Sequence, residues 1–554
     1  MSHATKQELP RLNASQEAYP YLPQPPDDTE RDLYLGPQRR WVVVVSFLGY
    51  ILIVISVTFF VLRRMWAAWL LIPLLISTAG TTVSLFTSSR RRRISLKGHR
   101  ALVENWMPDS IASVDVFLPS AGEDLRVLRN TYHYVSQLAW PGHLTVYVLD
   151  DSARDVVREL AEQHGFVYLS RPNRGQLKKA GNLRYGFQHS RGNFIAIFDA
   201  DFVPRPDFLF ELVPYMGDPT VGIVQSPQYF DVDRQLNWLQ RAAGGTQVLF
   251  YRWVQPSRDR SNAAICVGTC ALYRRAALNK AGGFAQIGHS EDVHTGVNLM
   301  KVGYRIQYVP TLVSKGICPD TFPQFVTQQY RWCTGSMSLL FSRRFHRIRL
   351  TVMQRLSYWS GFLYYITTAI NVFVIPLPAI LMGYFAPSEV RASNYVFVML
   401  ALVVRQAIVP VITCERESLF GLARIQTTYS LSHAVALFDA LRKRTDSWVA
   451  TGAAQRSPTA RRVLRLARVW LGSVQVLLWG AIAWRAPEYG MGRYWLMTAF
   501  ALLNLYIVYP IVLGRSQLWR RARTHRAFVP RQRGRHEARG RREARGRYGA
   551  RGAA

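Results

Sequence analysis

Asp199 and Asp201, in the run Phe-Asp-Ala-Asp-Phe, set two carboxylates within three residues of each other. Such groups repel, and a divalent cation relieves the repulsion; Mg²⁺ or Mn²⁺ takes oxygen ligands and keeps positions open for water or phosphate oxygens. Asp150 and Asp151 form a second acidic pair, in Val-Leu-Asp-Asp-Ser. A carboxylate such as Asp151 can accept hydrogen bonds from a base or ribose, although Asp also ends strands simply by favouring turns. Lys179, in Leu-Lys-Lys-Ala-Gly-Asn, is a point charge at a predicted helix start, suited to a pyrophosphate or to a solvated surface. Ser290, Glu291 and Asp292 open another predicted helix, where the serine would cap it and the acids would favour its positive end. Asp292 is equally suited to act as a general base, taking a proton from an acceptor hydroxyl that attacks a sugar carbon. Gln328, Arg331 and Trp332 are three and four residues apart and so share one helical face. Arg331 offers a planar fork of donors to phosphate oxygens, Gln328 a neutral hydrogen bond, and Trp332 a flat apolar platform for a sugar ring. The alternative for these three is an interfacial Trp/Arg anchor.

The elements that must carry these residues alternate. From about residue 110, short β-branched runs (113–120, 143–151, 166–172, 193–201) interleave with helical patterns (Glu123–Trp140, Ala153–Gly165, Lys178–Ser190). The β-α-β-α order predicts a largely parallel sheet covered by helices, with ligands bound beyond the carboxyl ends of the strands. Both acidic pairs fall at such ends.

On either side of this α/β section lie apolar runs of membrane-spanning length: Trp41–Leu62 and Trp66–Phe86 before it, and Tyr358–Phe385, Asn394–Thr413, Val463–Trp484 and Tyr494–Leu513 after it. The expected architecture is therefore an α/β domain, 89–345, inserted into an all-α six-span domain made of the hairpin 37–88 and the segment 346–514. Residues 1–36 are polar and Pro-rich and are expected to be disordered, as is the Arg/Gly-rich tail 515–554. The 554-residue chain has 49% hydrophobic residues, which excludes a disordered protein, and a net charge of +34. That charge concentrates in Arg90–Arg93, in the 415–462 loop and in the tail, all of which six spans place in the cytosol with both termini. Anionic lipid is thus a simpler partner for it than nucleic acid, and a cell inner membrane the expected location. Arg405, inside a span, is a functional or bundle-facing residue or marks a displaced boundary. Five irregularly spaced cysteines, four of them in the cytosolic section, are expected to be reduced thiols.

In order, Val-Leu-Asp-Asp-Ser, Lys-Ala-Gly-Asn, Phe-Asp-Ala-Asp-Phe-Val-Pro, Ser-Glu-Asp and Gln-Gln-Tyr-Arg-Trp between those spans resemble the processive glycosyltransferase family 2 enzymes of the cellulose synthase-like group. Each motif is common, but the ordered set, over roughly 40–515, is specific. The resemblance implies a GT-A fold on a transmembrane channel, inverting transfer from a UDP-sugar, a divalent cation, and extrusion of a growing β-linked polysaccharide, with room for an extracytoplasmic accessory subunit. By position it implies that Asp150 and Asp151 bind the UDP moiety, that Lys179 and Glu291 lie against substrate, that Asp199 and Asp201 form the metal-diphosphate pair, that Asp292 is the base, and that Gln328, Arg331 and Trp332 form the QxxRW motif. Val267–Leu272 loosely resembles the acceptor-side segment of the family. Trp448 and Thr451 resemble a gating loop over UDP, without its usual trailing lysine at Ala453. After strand 113–120 the usual aromatic-Asn-Glu run is replaced by Ser120, Ala121, Gly122 and Glu123, and nothing after 515 looks like a cyclic-di-GMP-sensing barrel.

UDP-glucose is the expected donor. A chitin- or hyaluronan-type synthase using UDP-N-acetylglucosamine and a single-sugar lipid glycosyltransferase share similar motifs, and spacing does not separate them, because sugar choice rests on pocket shape and a few hydrogen bonds. A transporter or a membrane scaffold would leave the ordered motifs unexplained.

Overall fold

The β-branched runs become strands where the sequence places them. The computed structural model describes residues 21–404, 419–444 and 457–513, all within the unit Met1–Ser516. Strands β1 (Val114–Ser120), β2 (Leu144–Asp150), β3 (Val167–Leu169), β4 (Phe194–Ile197), β6 (Val221–Gln225), β8 (Ala271–Arg274) and β9 (Arg305–Tyr308) form one sheet in the order β3-β2-β1-β4-β8-β6-β9. A smaller sheet, β5-β10-β7, contains β5 (Phe202–Pro204), β7 (Tyr229–Phe230) and β10 (Ser314–Gly316). β1 is parallel to β2 and β4 and is buried along its whole length, so it reads as a nearly continuous apolar run. Its one charged residue, Asp115, is matched by Arg275, whose Nη2 donates at 3.0 Å.

Register decides what meets at the edge of the sheet. Ser120 lies opposite Asp150, and Phe117 opposite Ile197, so the residues after β2 and β4 emerge side by side. β8 is antiparallel to β4, so the residues before it, Val267–Cys270, arrive at the same edge; the Cys270 N–H donates to the Ile197 carbonyl at 2.9 Å. Asp201 immediately precedes β5 and links the two sheets.

Among the described residues five helices are long and apolar enough to cross a membrane: Trp41–Arg63, Met65–Ser88, Val352–Phe385, Pro458–Tyr489 and Met491–Leu513. The expected sixth span begins as the helix Ala392–Leu402, but its remainder, with Arg405, lies outside the described residues. Arg63 and Arg64, in the turn of the first hairpin, pair with Glu389 at 3.4 and 3.2 Å.

The described residues refine two expectations. Residues 1–36 are not uniformly disordered: Asp27 and Glu30 form a capping box on Asp28–Arg31, Tyr34 and Leu35 are buried, and Arg92 donates to the carbonyls of Tyr34 (3.0 Å) and Gly36 (2.7 Å). Two apolar residues with a site to bury in outweigh the polar composition around them. The 415–462 region is not simply a loop, since Leu419–Leu441 is a helix held by Asp439, which accepts from Tyr330 at 2.8 Å and from Arg462 at 2.6 Å. Arg90–Arg93 is tied into the protein: Arg90 donates to Ser261 and Arg93 to Asn262, both at 2.7 Å. Cys266, Cys270, Cys318 and Cys333 are buried free thiols.

Candidate active site

A cavity of about 410 Å³ lies where β1, β2 and β4 end, and most of the singled-out residues line it: Asp151, Lys179, Asp199, Asp201, Glu291, Asp292, Gln328, Arg331 and Trp332. Asp150 does not. It is fully buried and accepts from the backbone N–H groups of Ser152 and Arg154, both at 2.9 Å, and from the Tyr168 hydroxyl at 3.1 Å. These bonds spend the carboxylate on closing the turn after β2, and Asp150 is not among the residues that line the cavity. Trp448 and Thr451 lie outside the described residues, as does the tail.

Asp151 reaches the cavity while held by Arg171, a buried side chain that grips both carboxylate oxygens (Nε at 2.6 Å, Nη2 at 2.7 Å). Arg171 also donates to the carbonyls of Gln176 (2.6 Å) and Lys178 (3.1 Å), which ties Asp151 to the start of the helix Lys178–Gln188. Asn182 on that helix donates to the Leu149 carbonyl at 2.6 Å. The Lys-Ala-Gly-Asn run is therefore fastened at both ends to the end of β2.

Asp199 and Asp201 are held differently. The Asp199 N–H donates to Thr269 Oγ1 at 2.9 Å, and the Thr131 hydroxyl donates to the Ala200 carbonyl at 2.7 Å, so the backbone of the turn is fixed. Asp199 pairs with Lys179, whose ammonium also donates to the Gly268 carbonyl at 2.9 Å and stands 3.9 Å from Glu291. Burial opposes the charge on Lys179, yet Asp199 and Glu291 raise its pKa. Among the described residues no cation pairs with Asp201. Burial, reinforced by Asp199, pushes its carboxyl up to about 7. Glu123 lines the same cavity, and burial raises its pKa as well.

Asp292 enters from the helix Glu291–Lys301. Burial and the adjacent Glu291 raise its carboxyl well above the ordinary range, while the Val293 N–H donates to it at 2.8 Å. The expected Ser290 cap is absent: Ser290 has φ +52° and its side chain makes no capping bond. Instead it packs against Gly335 of the helix Phe322–Leu340, where an added Cβ would lie 1.8 Å from Ser290 Oγ. Gly335 is one turn beyond Arg331, so glycine there lets the Ser-Glu-Asp turn close against the helix bearing Gln328, Arg331 and Trp332. Gly268, at φ +80°, is the counterpart on the other side; a Cβ there would come within 3.0 Å of Asp292. Burial lowers the Arg331 pKa against the pull of Asp199, Glu291, Asp201 and Asp292, so four carboxylates face one guanidinium.

Sequence inspection did not single out Arg171, Glu123 as a cavity residue, Lys178 or His289. Burial, Arg331 and Lys178 together depress the His289 pKa, keeping the ring neutral. Only Glu123 carried a local signal, its place just beyond a strand end; the others depend on long-range packing.

The cavity thus offers a crowded set of oxygens beside two fixed cations, an aromatic face, and three carboxyls, Glu123, Asp201 and Asp292, with raised pKa values. No cluster of three or more His, Cys, Asp or Glu side chains among the described residues is arranged to hold a metal ion by itself. Two carboxylates that need substrate oxygens to complete a shell fit a cation delivered with a diphosphate.

Residues 194–409 match the family model described as glycosyl transferase family group 2. The cellulose synthase catalytic subunit [UDP-forming] of Xanthomonas axonopodis pv. citri is 32% identical over 265 residues, covering 46% of this chain and 35% of that one. Its counterpart from Pseudomonas fluorescens is 34% identical over 234 residues, covering 41% and 31%. The chain thus spans about a third of the length of these relatives. A mannosyltransferase from Pyrobaculum calidifontis, solved with GDP-Man and Mn²⁺, superposes with a TM-score of 0.45 at 17% identity, covering 67% of this chain and 99% of that one. Residues 194–409 are thus similar to glycosyl transferase family group 2, and the chain is related in sequence, over somewhat less than half of its length, to the cellulose synthase catalytic subunits.

Proposed function

We propose that the protein is a membrane-embedded, inverting, processive glycosyltransferase that builds a β-linked glycan from a UDP-sugar, UDP-glucose above all, and passes it across a cell inner membrane. The observation that carries this reading is the convergence of Asp199, Asp201, Asp292 and the Gln328–Trp332 face on one cavity, that face belonging to the helix Phe322–Leu340, which is followed by the short helix Arg343–His346 and then by the membrane-length helix Val352–Phe385.

Asp199 and Asp201 would hold Mg²⁺ or Mn²⁺, and the bound cation would neutralise charge on the departing diphosphate. Lys179 and Arg331 add fixed positive charge there, available without reorganisation because both are already held among carboxylates. Asp292 takes the proton from the acceptor hydroxyl at its own carboxylate. Its raised pKa makes it a better base near neutral pH than an exposed aspartate. Trp332 supplies a face on which the acceptor sugar can stack, and Asp151, rigid in the grip of Arg171, presents a fixed acceptor to the nucleoside. Anionic lipids and an extracytoplasmic accessory subunit are further partners on this reading.

The test is to reconstitute purified full-length protein in lipid vesicles with Mg²⁺ or Mn²⁺ and supply radiolabelled UDP-glucose, UDP-N-acetylglucosamine and GDP-mannose separately. Polymer from UDP-glucose, digested by a β-glucanase, is expected. Polymer from UDP-N-acetylglucosamine would move the protein to the chitin or hyaluronan type, and one sugar per lipid would remove processivity. No incorporation from any donor would overturn the proposal.

A further inference from the structure

We propose that the protein binds an anionic phospholipid at a specific site between the helices Met65–Ser88 and Val352–Phe385, with an acyl chain in an apolar groove and the headgroup on the arginines beside it. The inference rests on those helices crossing a membrane, and not on the chemistry of the cavity. The groove, about 420 Å³, is lined by Val83, Leu350, Leu356, Trp359 and Leu363, with Arg355 among them. Residues 352, 356, 359 and 363 fall at spacings of four, three and four, one continuous stripe along the helix, and Val352 and Trp359 are exposed.

The charge beside the groove distinguishes it from ordinary lipid-facing surface. Arg343, Arg344, Arg347, Arg349 and Arg355 lie within thirteen residues, and all are exposed. Among the described residues none of them pairs with a carboxylate or donates a side-chain hydrogen bond. The other basic run at a span end behaves in the opposite way, since Arg90, Arg92 and Arg93 all donate within the protein. Both runs satisfy a positive-inside orientation, so orientation alone does not explain why one is left unneutralised. Five unpaired guanidinium groups next to an acyl-sized groove complement a phosphate with fatty chains, and the guanidinium fork suits phosphate oxygens.

The test uses the full-length protein in vesicles of phosphatidylcholine with and without phosphatidylglycerol, each doped with a photoactivatable analogue of one lipid, and maps labelled peptides by mass spectrometry. Labelling of the segment 350–363 by the phosphatidylglycerol probe is expected to exceed that by the phosphatidylcholine probe several-fold. Neutralising the loop (Arg343→Gln, Arg344→Gln, Arg347→Gln, Arg349→Gln) is expected to erase the several-fold preference, bringing the labelling ratio of the two probes to about one. Raising the salt on the unaltered protein tests the same point without a variant: the preference should shrink toward one. Equal labelling by the two probes, or a preference that survives both the variant and high salt, would overturn the proposal. Because the readout is labelling, sugar transfer does not enter it, and an inactive protein that labels as expected would reject the catalytic reading alone.

Discussion

Two acidic pairs leave the sheet one strand apart, and their surroundings are opposites. Asp150 and Asp151, after β2, are satisfied within the protein: backbone N–H groups and Tyr168 take the first, and the Arg171 fork takes the second. After β4, Asp199 pairs with Lys179, whereas Asp201 has no cation partner among the described residues and sits near Asp199 and Glu123 with its carboxyl pushed up to about 7. Burying a carboxylate without a partner is costly, so a fold retains such a group where something else completes it. The first pair is scaffold that reaches the site through Asp151. The second is a receptacle.

The largest effects should come from the unsatisfied set. Asp292→Asn keeps the shape of the side chain and removes the base, so sugar transfer should fall by about three orders of magnitude, while UDP binding measured by calorimetry stays within a few-fold. Full transfer in that variant would take Asp292 out of the mechanism. Asp201→Ala should cost a comparable amount of transfer and weaken metal-dependent UDP binding, yet raise thermal stability of the metal-free protein at neutral pH, because it removes a crowded charge. Unchanged metal dependence would dissolve the contrast between the pairs. Asp151→Ala should do the reverse of Asp201→Ala in stability. It leaves the buried Arg171 guanidinium unmatched, costing about 3–5 kcal/mol, read as a fall in melting temperature, and the double variant Asp151→Ala, Arg171→Met should recover much of the loss. Asp150→Ala should cost about 1–3 kcal/mol through orphaned donors in the β2 turn, with nucleotide affinity altered only as far as that turn loosens.

The same contrast explains what could be read from the letters. β1 to β4 and the helices between them follow local pattern, and the sheet edge follows from parallel register, so the convergence of Asp151, Asp199 and Asp201 was legible. The Gln328–Arg331–Trp332 face was legible too, since helical spacing is local. What stayed hidden was the division of labour inside the Asp-Asp pair, because whether a strand-end carboxylate is free depends on partners 18 to 20 residues away at Tyr168 and Arg171. Ser290 misled for a similar reason: its composition suggested a cap, and contact with Gly335, 45 positions on, took the side chain elsewhere. The ordered segment around Tyr34 and Leu35 escaped because its burial site is built from distant parts of the chain.

The smallest and most diagnostic effect is in pH. Asp201 has a folded-state pKa raised from 3.8 to about 7, so the metal-free folded protein holds a proton that the unfolded chain gives up near pH 4. That difference favours folding at low pH and is lost as pH rises through about 7, so this residue's contribution to the melting temperature should decline across the window from about 4 to about 7. Asp201→Asn should flatten that part of the profile. Added Mn²⁺ should act in the other direction, since a cation must displace the proton: its affinity, followed by electron paramagnetic resonance, should fall by about tenfold per pH unit below about 7 and level off above it. A melting profile identical in the Asp201→Asn variant, or Mn²⁺ affinity independent of pH between 5 and 7, would show that the β4 pair is as well satisfied as the β2 pair, and the distinction between scaffold and receptacle would not survive.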